Sequence, residues 1–502
     1  MKFFFLLSRV YLVLALLGAV AGQASFAALS GDYRPDQILI QPKKNVGPVA
    51  LANFHAAHQS QVVKTFANLG RVQVLRVPRS ETVESLIAKY QQSGLVEFAE
   101  PDYIVRASAA PNDPYYLNGS QWGLNNTGQS GGVPDADIDA PEAWDVLNSA
   151  GKVVVAVVDS GIRATHEDLA ANMWVNPVDG GHGFNAFTGT NDPTDNFGHG
   201  TQVAGLLGAV GNNGKGITGV AWEAQMMDCK CLDGSGNGSD STVIACLDYA
   251  RTNGARVINT SFDSTNNSVA VFNAIVALRD AGIILVASCG NGKASQLHVN
   301  VDVTPTYPAC YPLDNIVSVA YTSRTDGLGF LSNYGPTNVD LGAPGDQVTS
   351  TANGSDQSYF VSGPIFGISG SSFAAPLVAG ACAMMLERYP DETYQQIIAR
   401  ILKATDPIPA LAGKCVTGGR LNLWKALSPP INLASIPGAN GAPFQLRVAT
   451  GASRVCVIES SSDLVNWSPL FTNTTAADGT FDFLDDDSTN AAQRFYRVVS
   501  AP

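Results

Sequence analysis

The sequence predicts an α/β protein. Its centre is a three-layer arrangement, a parallel sheet with helices on both faces. A small α+β unit precedes it and a small β-sandwich-like module follows. Three observations carry this reading. The runs Val153–Val158, Val257–Ile258, Ile283–Ala287 and Ile316–Ala320 are continuously apolar, which marks strands buried on both faces. Helical stretches near Thr242–Asn253 and Val269–Ala281 fall between them, as crossovers in a parallel sheet require. Both ends of the chain instead show short strand patterns broken by polar turns.

The elements follow in order. Lys2 and the apolar run Val10–Ala21, with small residues at Ala19-Val20-Ala21 and Ser25-Phe26-Ala27, read as a signal peptide over residues 1–27. The run is shorter than the ~20 residues of a membrane span. The expectation is export, to the medium or a periplasm, with no span left after cleavage. Residues 31–107 read as the α+β unit, with strands at Gln37–Ile40, Val72–Val77 and Leu95–Phe98. Its helix is set by Val83, Leu86, Ile87 and Tyr90, and Ser80 is read as the cap. The loose stretch Ala107–Pro114 reads as a cuttable linker. The large central part spans 112–428. Residues 429–441 read as a second linker, and 442–502 as the β module, with strands at Phe444–Val448, Arg454–Glu459, Thr480–Phe483 and Arg494–Val499.

Composition excludes some functions. Across 502 residues, 30 Lys and Arg stand against 43 Asp and Glu, a net charge of −13. Nucleic-acid binding needs clustered cations to neutralise phosphates, so no nucleic-acid partner is expected. Eight cysteines include no CxxC pair, which argues against zinc. Export permits disulfides. Cys289 and Cys310 bracket one polar loop and are the single pair picked out as a bridge, with buried free thiols as the alternative.

Three places in the central part carry chemistry. Asp159 closes the run VVVAVVDSG, where a carboxylate after six apolar residues is costly unless partnered. His199 lies between glycines at the start of a small-residue helical run. Ser372, in Gly370-Ser371-Ser372-Phe373-Ala374-Ala375-Pro376, opens a helix whose start Pro376 should fix at or just after Ser372. Each has an ordinary structural reading, as a turn Asp, a structural His and an N-cap Ser. Together they fall in the order Asp, His, Ser.

In these motifs the chain resembles the subtilisin-like serine proteases. The resemblance rests on Asp159-Ser160-Gly161, Gly198-His199-Gly200-Thr201 and Gly370-Ser371-Ser372 through Ala375-Pro376. It spans the central part and extends into the N-terminal unit. It implies a serine endopeptidase with Ser372 as nucleophile, His199 as general base and Asp159 as the group that orients it. It implies that Asn291, in Gly290-Asn291-Gly292, donates to the oxyanion. Protein or peptide substrate would lie between Gly236-Asn237-Gly238 and Ser261-Phe262-Asp263. Asp263 departs from the small residue usual there. If its carboxylate reaches inward, it favours Lys or Arg before the cut. If it points to solvent, preference stays broad and apolar, with Phe262 lining the edge. The other departures, Gln202, Leu377, Ser371 and Cys289, remove no catalytic atom.

The resemblance also implies structural Ca²⁺ in a thermitase-like loop. Asp113, Asp168 and Asn213 would supply side-chain oxygens, and Val210, Lys215 and Ile217 carbonyls. The N-terminal unit resembles the ferredoxin-like inhibitory propeptide of these enzymes, removed by self-cleavage near Ala107–Pro111, and a monomer is expected. The C-terminal module resembles accessory β modules, with Trp467 and the aromatics of Arg494-Phe495-Tyr496-Arg497 read as core. A lipase-like hydrolase is excluded, since Ser369 and Ser372 lack the second glycine of G-x-S-x-G and the residue order differs. A catalytically inactive relative acting as a binding protein is the remaining alternative.

Overall fold

A computed structural model describes residues 33–500 apart from 79–80, 104–109, 294, 363–366, 429–430, 437–442, 451–453, 476–479, 486–487 and 489–492. The leader, the expected cap Ser80 and most of the expected cleavage stretch lie outside the described residues. Residues 106–429 form one compact unit, and the two ends of the chain are grouped in the other.

The N-terminal unit has the order β1 (Tyr33–Pro42), a helix at Pro48–Ala57, β2 (Gln61–Phe66), β3 (Val72–Arg76), a helix at Val83–Gln92 and β4 (Val96–Tyr103). Its antiparallel sheet runs β2-β3-β1-β4, the β-α-β-β-α-β form anticipated. The first helix and β2 were not read from sequence. β2 is almost wholly exposed, with no apolar alternation to betray it. Thr82 caps the second helix, accepting from Ser85 N–H. That helix packs Val83, Leu86, Ile87 and Tyr90 onto Ile38, Ile40 and Leu75.

The central unit holds a nine-stranded sheet. Along its main body run β5 (Ser149–Asp159), β6 (Gly183–Asn185), β7 (Glu223–Lys230), β8 (Val257–Thr260), β9 (Ile284–Ser288), β10 (Ile316–Thr322) and β11 (Leu341–Pro344). Their spatial order is β11-β10-β9-β8-β5-β7-β6, all parallel. Short strands at Gly419–Arg420 and Asp406–Pro407 extend the β11 edge. Continuous apolarity has the predicted cause. Val155 and Val157 face one core, and Ala156 and Val158 face the other. Ile284 and Val286 are divided in the same way from Leu285 and Ala287. The first core takes the helices His199–Gly208 and Ser371–Arg388, and the second takes Asp240–Thr252 and Val269–Asp280.

Pro376 corrects the sequence reading. The helix starts at Ser371, so Pro376 lies in its second turn rather than its first. Proline there removes the bond that would reach the Ser372 carbonyl four residues back. Ser261 Oγ takes that place, donating to the Ser372 carbonyl at 2.8 Å. A side chain from a neighbouring strand end thus repairs the ladder, which no local rule could foresee.

The C-terminal module contains two three-stranded sheets packed on Leu446, Val448, Cys456, Ile458 and Phe481. The stretch read as linker supplies one strand, Asn432–Ile436, paired to Phe444–Ala449. Tyr496 packs on that core, whereas Trp467 lies under the Arg497 guanidinium, 4.4 Å from the ring centre. All eight cysteines are buried free thiols. The expected Cys289–Cys310 bridge is therefore not formed, although both residues share one small core with Cys415.

Candidate active site

Parallel strands in register bring their carboxyl ends to one edge. Asp159 closes β5, Ser261 follows β8 and Asn291 comes three residues after β9. This is the edge at which open α/β sheets bind ligands. The helices beginning at His199 and Ser371 start at the same edge.

Asp159 is fully buried and its carboxylate is satisfied. Oδ1 accepts from Ser160 N–H at 2.7 Å, the ordinary turn contact, and from His199 Nδ1 at 2.8 Å. Oδ2 lies 3.0 Å from the same nitrogen. The turn contact and the contact to His199 therefore coexist on one carboxylate. His199 is 20% exposed at its side chain, with the Phe373 ring centre 5.4 Å away. Close backbone approach makes this possible. A Cβ on Gly200 would sit 2.2 Å from the Gly161 carbonyl oxygen.

Asp195 escaped the sequence reading. Its carboxylate accepts from Ser160 Oγ, Phe197 N–H, Gly198 N–H, and the N–H and Oγ1 of Thr201. It thereby ties the end of β5 to the start of the His199 helix. Asp195 lies four residues ahead of the helix, outside the N-cap position held by Gly198, so no local capping signal marked it. Asp228, on β7, holds the Ile162 N–H at 2.7 Å, while its other oxygen has no partner among the described residues. Burial pushes its carboxyl far above the usual range.

Burial alone would lower the His199 pKa. The charge and hydrogen bond of Asp159, with Asp195 behind, outweigh burial and raise it above 6.5. If His199 is the general base the resemblance implies, it must be neutral to accept a proton, so activity should fall as pH drops through that raised pKa. The acid limb of kcat/KM reports this group in the free enzyme. Its inflection is expected above 6.5, and one at or below that value contradicts the charge arrangement.

Ser372 Oγ donates to the Ser261 carbonyl at 3.0 Å. Among the described residues no hydrogen bond joins it to His199. Catalytic hydrogen bonds in substrate-free enzymes are often unmade. Asn291 Oδ1 accepts from the N–H and Oγ of Ser371, at 3.0 and 3.2 Å. That leaves the amide NH₂ free to donate, beside the Ser372 N–H, which has no acceptor among the described residues, whereas the Phe373 N–H donates to the Gly370 carbonyl.

Of the expected substrate edges, Asn237 has both main-chain groups engaged by Asp233. Phe262 is half-buried against the second core, and Asp263 is exposed.

The comparisons with known proteins decide the family. The subtilase family model matches residues 150–423, more than half of the chain. The chain belongs to the subtilase family. The subtilase chain also matches the fervidolysin N-terminal prodomain over residues 20–102, beginning inside the segment read as a leader. It is 32% identical over 399 residues to the thermophilic serine proteinase of Bacillus sp. (strain AK1), covering 79% of this chain and 88% of that one. It is 32% identical over 317 residues to thermitase of Thermoactinomyces vulgaris, covering 63% and 99%. A solved protease from Pseudoalteromonas arctica matches with TM-score 0.52 and 28% identity, over 64% of this chain and 99% of that one. This subtilase is therefore a subtilisin-like serine protease carrying a prodomain.

Proposed function

We propose that this subtilase is a secreted endopeptidase, made as a self-processing precursor, that cuts protein substrates through Asp159, His199 and Ser372. The observation that carries this reading is the buried Asp159 carboxylate on His199 Nδ1, at the strand edge where the Ser372 helix begins. With Nδ1 held, Nε2 is the free base. Substrate binding turns Ser372 Oγ from the Ser261 carbonyl to Nε2, which takes the proton as Oγ attacks the scissile carbonyl. Asn291 NH₂ and the Ser372 N–H receive the oxyanion. His199 returns the proton to the leaving amine, and water then hydrolyses the acyl-enzyme by the reverse roles. Gly236, Gly238, Ser261 and Phe262 offer backbone to an extended peptide. The prodomain, cut free near Ala107–Pro111, acts as temporary inhibitor.

A serine-reactive fluorophosphonate tests the reading. The mature protein should label, and the Ser372→Ala protein should not. An unlabelled wild type would support the inactive, binding-protein alternative instead. Among the described residues no helix is long and apolar enough to cross a membrane.

Calcium fits the loop around Asn213. Asp113 and Asp168 are both fully buried. Burial, with the Asp168 charge nearby, raises the Asp113 carboxyl. Lys215 pairs with Glu167 at 3.4 Å. Among the described residues, the carbonyls of Val210, Lys215 and Ile217 accept no hydrogen bond, while those of Gly216 and Thr218 do. Two buried carboxylates and three unused carbonyls form a donor set for a hard cation. Asn213 turns Nδ2 toward Asp168, at 2.8 Å. It must therefore flip its amide to present an oxygen. The bound ion would stabilise the loop and take no part in the reaction.

Saturating calcium over a chelated sample should raise Tm, since a ligand at a hundred times its Kd adds ~2.7 kcal/mol. Asp168→Ala should abolish the difference. Identical melting with and without calcium in metal-stripped protein would refute the site.

A further inference from the structure

Asp263 has no structural task among the described residues. Turn carboxylates ordinarily accept nearby backbone N–H groups, as Asp233 does from Ser235 and Asn237. The Asp263 carboxylate accepts none. It leans instead across the cleft onto Gly290. A Cβ built there would lie 3.3 Å from Asp263 Cγ and 3.4 Å from Oδ1. Gly290 directly precedes Asn291, and Asp263 stands two residues beyond Ser261, whose carbonyl holds Ser372 Oγ. Two residues span at most about 7 Å. The carboxylate thus stands between the nucleophile's neighbour and the oxyanion donor's neighbour, and on the roles proposed above the residue before the cut would lie beside it. The residue as a whole is exposed, but its carboxyl is turned against Gly290, where the surrounding chain desolvates it and raises it above the usual range, with the Lys293 charge opposing. Lys293 is exposed and makes no ion pair with it among the described residues.

Resting on the catalytic roles proposed above, we infer that Asp263 makes this protease select a basic residue, Lys or Arg, on the acyl side of the cut bond. Two effects act in the same direction. A cationic side chain pairs with the carboxylate in a cleft that water leaves as substrate enters, where the attraction exceeds its value in water. With a neutral side chain, the carboxylate has, among the described residues, only the unpaired Lys293 charge to offset it beside the oxyanion that forms at Asn291, and like charges repel. The same group therefore favours basic substrates and penalises apolar ones.

The test uses four peptide anilides that differ only in Arg, Lys, Phe or Leu before the scissile bond. The mature enzyme should show higher kcat/KM for Arg and Lys, with an advantage that shrinks as salt rises. Asp263→Asn should lower the Arg-to-Phe ratio about ten- to hundredfold, the value of one charged hydrogen bond. It should do so partly by raising kcat/KM for Phe. Asp263→Glu should keep the basic preference. A wild type that cuts Phe and Leu best, or a ratio unmoved by Asp263→Asn, overturns this inference alone. A wild type that cuts none of the four and takes no fluorophosphonate overturns the protease reading, and this inference with it.

Discussion

A Ser372→Ala enzyme is expected to lose about 10⁶ in kcat, the loss known for the same removal in subtilisin. It should also keep its N-terminal unit covalently attached. The kinetic effect follows because no other hydroxyl can replace this one. Ser371 Oγ donates to Asn291, and Ser261 Oγ donates to the Ser372 carbonyl. Folding should survive, since Ser372 Oγ contributes one neutral hydrogen bond, worth about 1 kcal/mol. Maturation gives a second, independent readout. If the cut near Ala107–Pro111 is made by the enzyme itself, intact mass should show the precursor in the variant and a shortened chain in the wild type. Active purified wild type that still carries residues 33–103 would sink the propeptide reading while leaving the nucleophile assignment intact.

The next largest loss is expected at Asn291. Asn291→Ala should lower kcat by about 10²–10³ with little change in KM, the usual cost of removing one oxyanion donor. The ground-state carbonyl needs no such donor, so the effect belongs to the transition state. The alanine variant also frees the Ser371 N–H, which is a structural change. Asn291→Asp separates the two roles. Its oxygen can still accept from Ser371 and anchor the helix start, yet it offers no N–H to the oxyanion and adds a negative charge. Asp should therefore be at least as damaging as Ala. An Asp variant with near-native kcat would show that Asn291 only anchors the helix.

The layered sheet was legible because its signal is local. A strand buried on both faces must be apolar throughout, and Val153–Val158 is. The triad candidates were legible because strand ends and helix starts bear punctuation, the Gly-flanked His199 and the Ser-Ser before Phe373. Other features rest on contacts between distant segments. Pro376 is tolerated in the second turn only because Ser261, 111 residues before Ser372, supplies a hydroxyl to the Ser372 carbonyl. Asp195 serves β5 and a helix at once, so its importance lies in partners rather than in its neighbours. β2 was missed because an edge strand exposed along its length carries no hydrophobic period. Asn432–Ile436 was hidden by the prolines and glycines around it, which read as linker.

The eight buried thiols set the terms on which this molecule ends its working life. While the chain is closed, burial raises the thiols of Cys231, Cys246 and Cys289, and that of Cys382 to about 12, so almost no thiolate exists to react. Once the chain opens, eight ordinary thiols become available together. They can cross-link in on the order of a hundred complete pairings, none of which the native packing uses. In an oxidising medium each opening is then a one-way exit rather than an equilibrium visit. Survival is governed by the rate of the first opening, a barrier height, and not by the free energy that separates folded from unfolded.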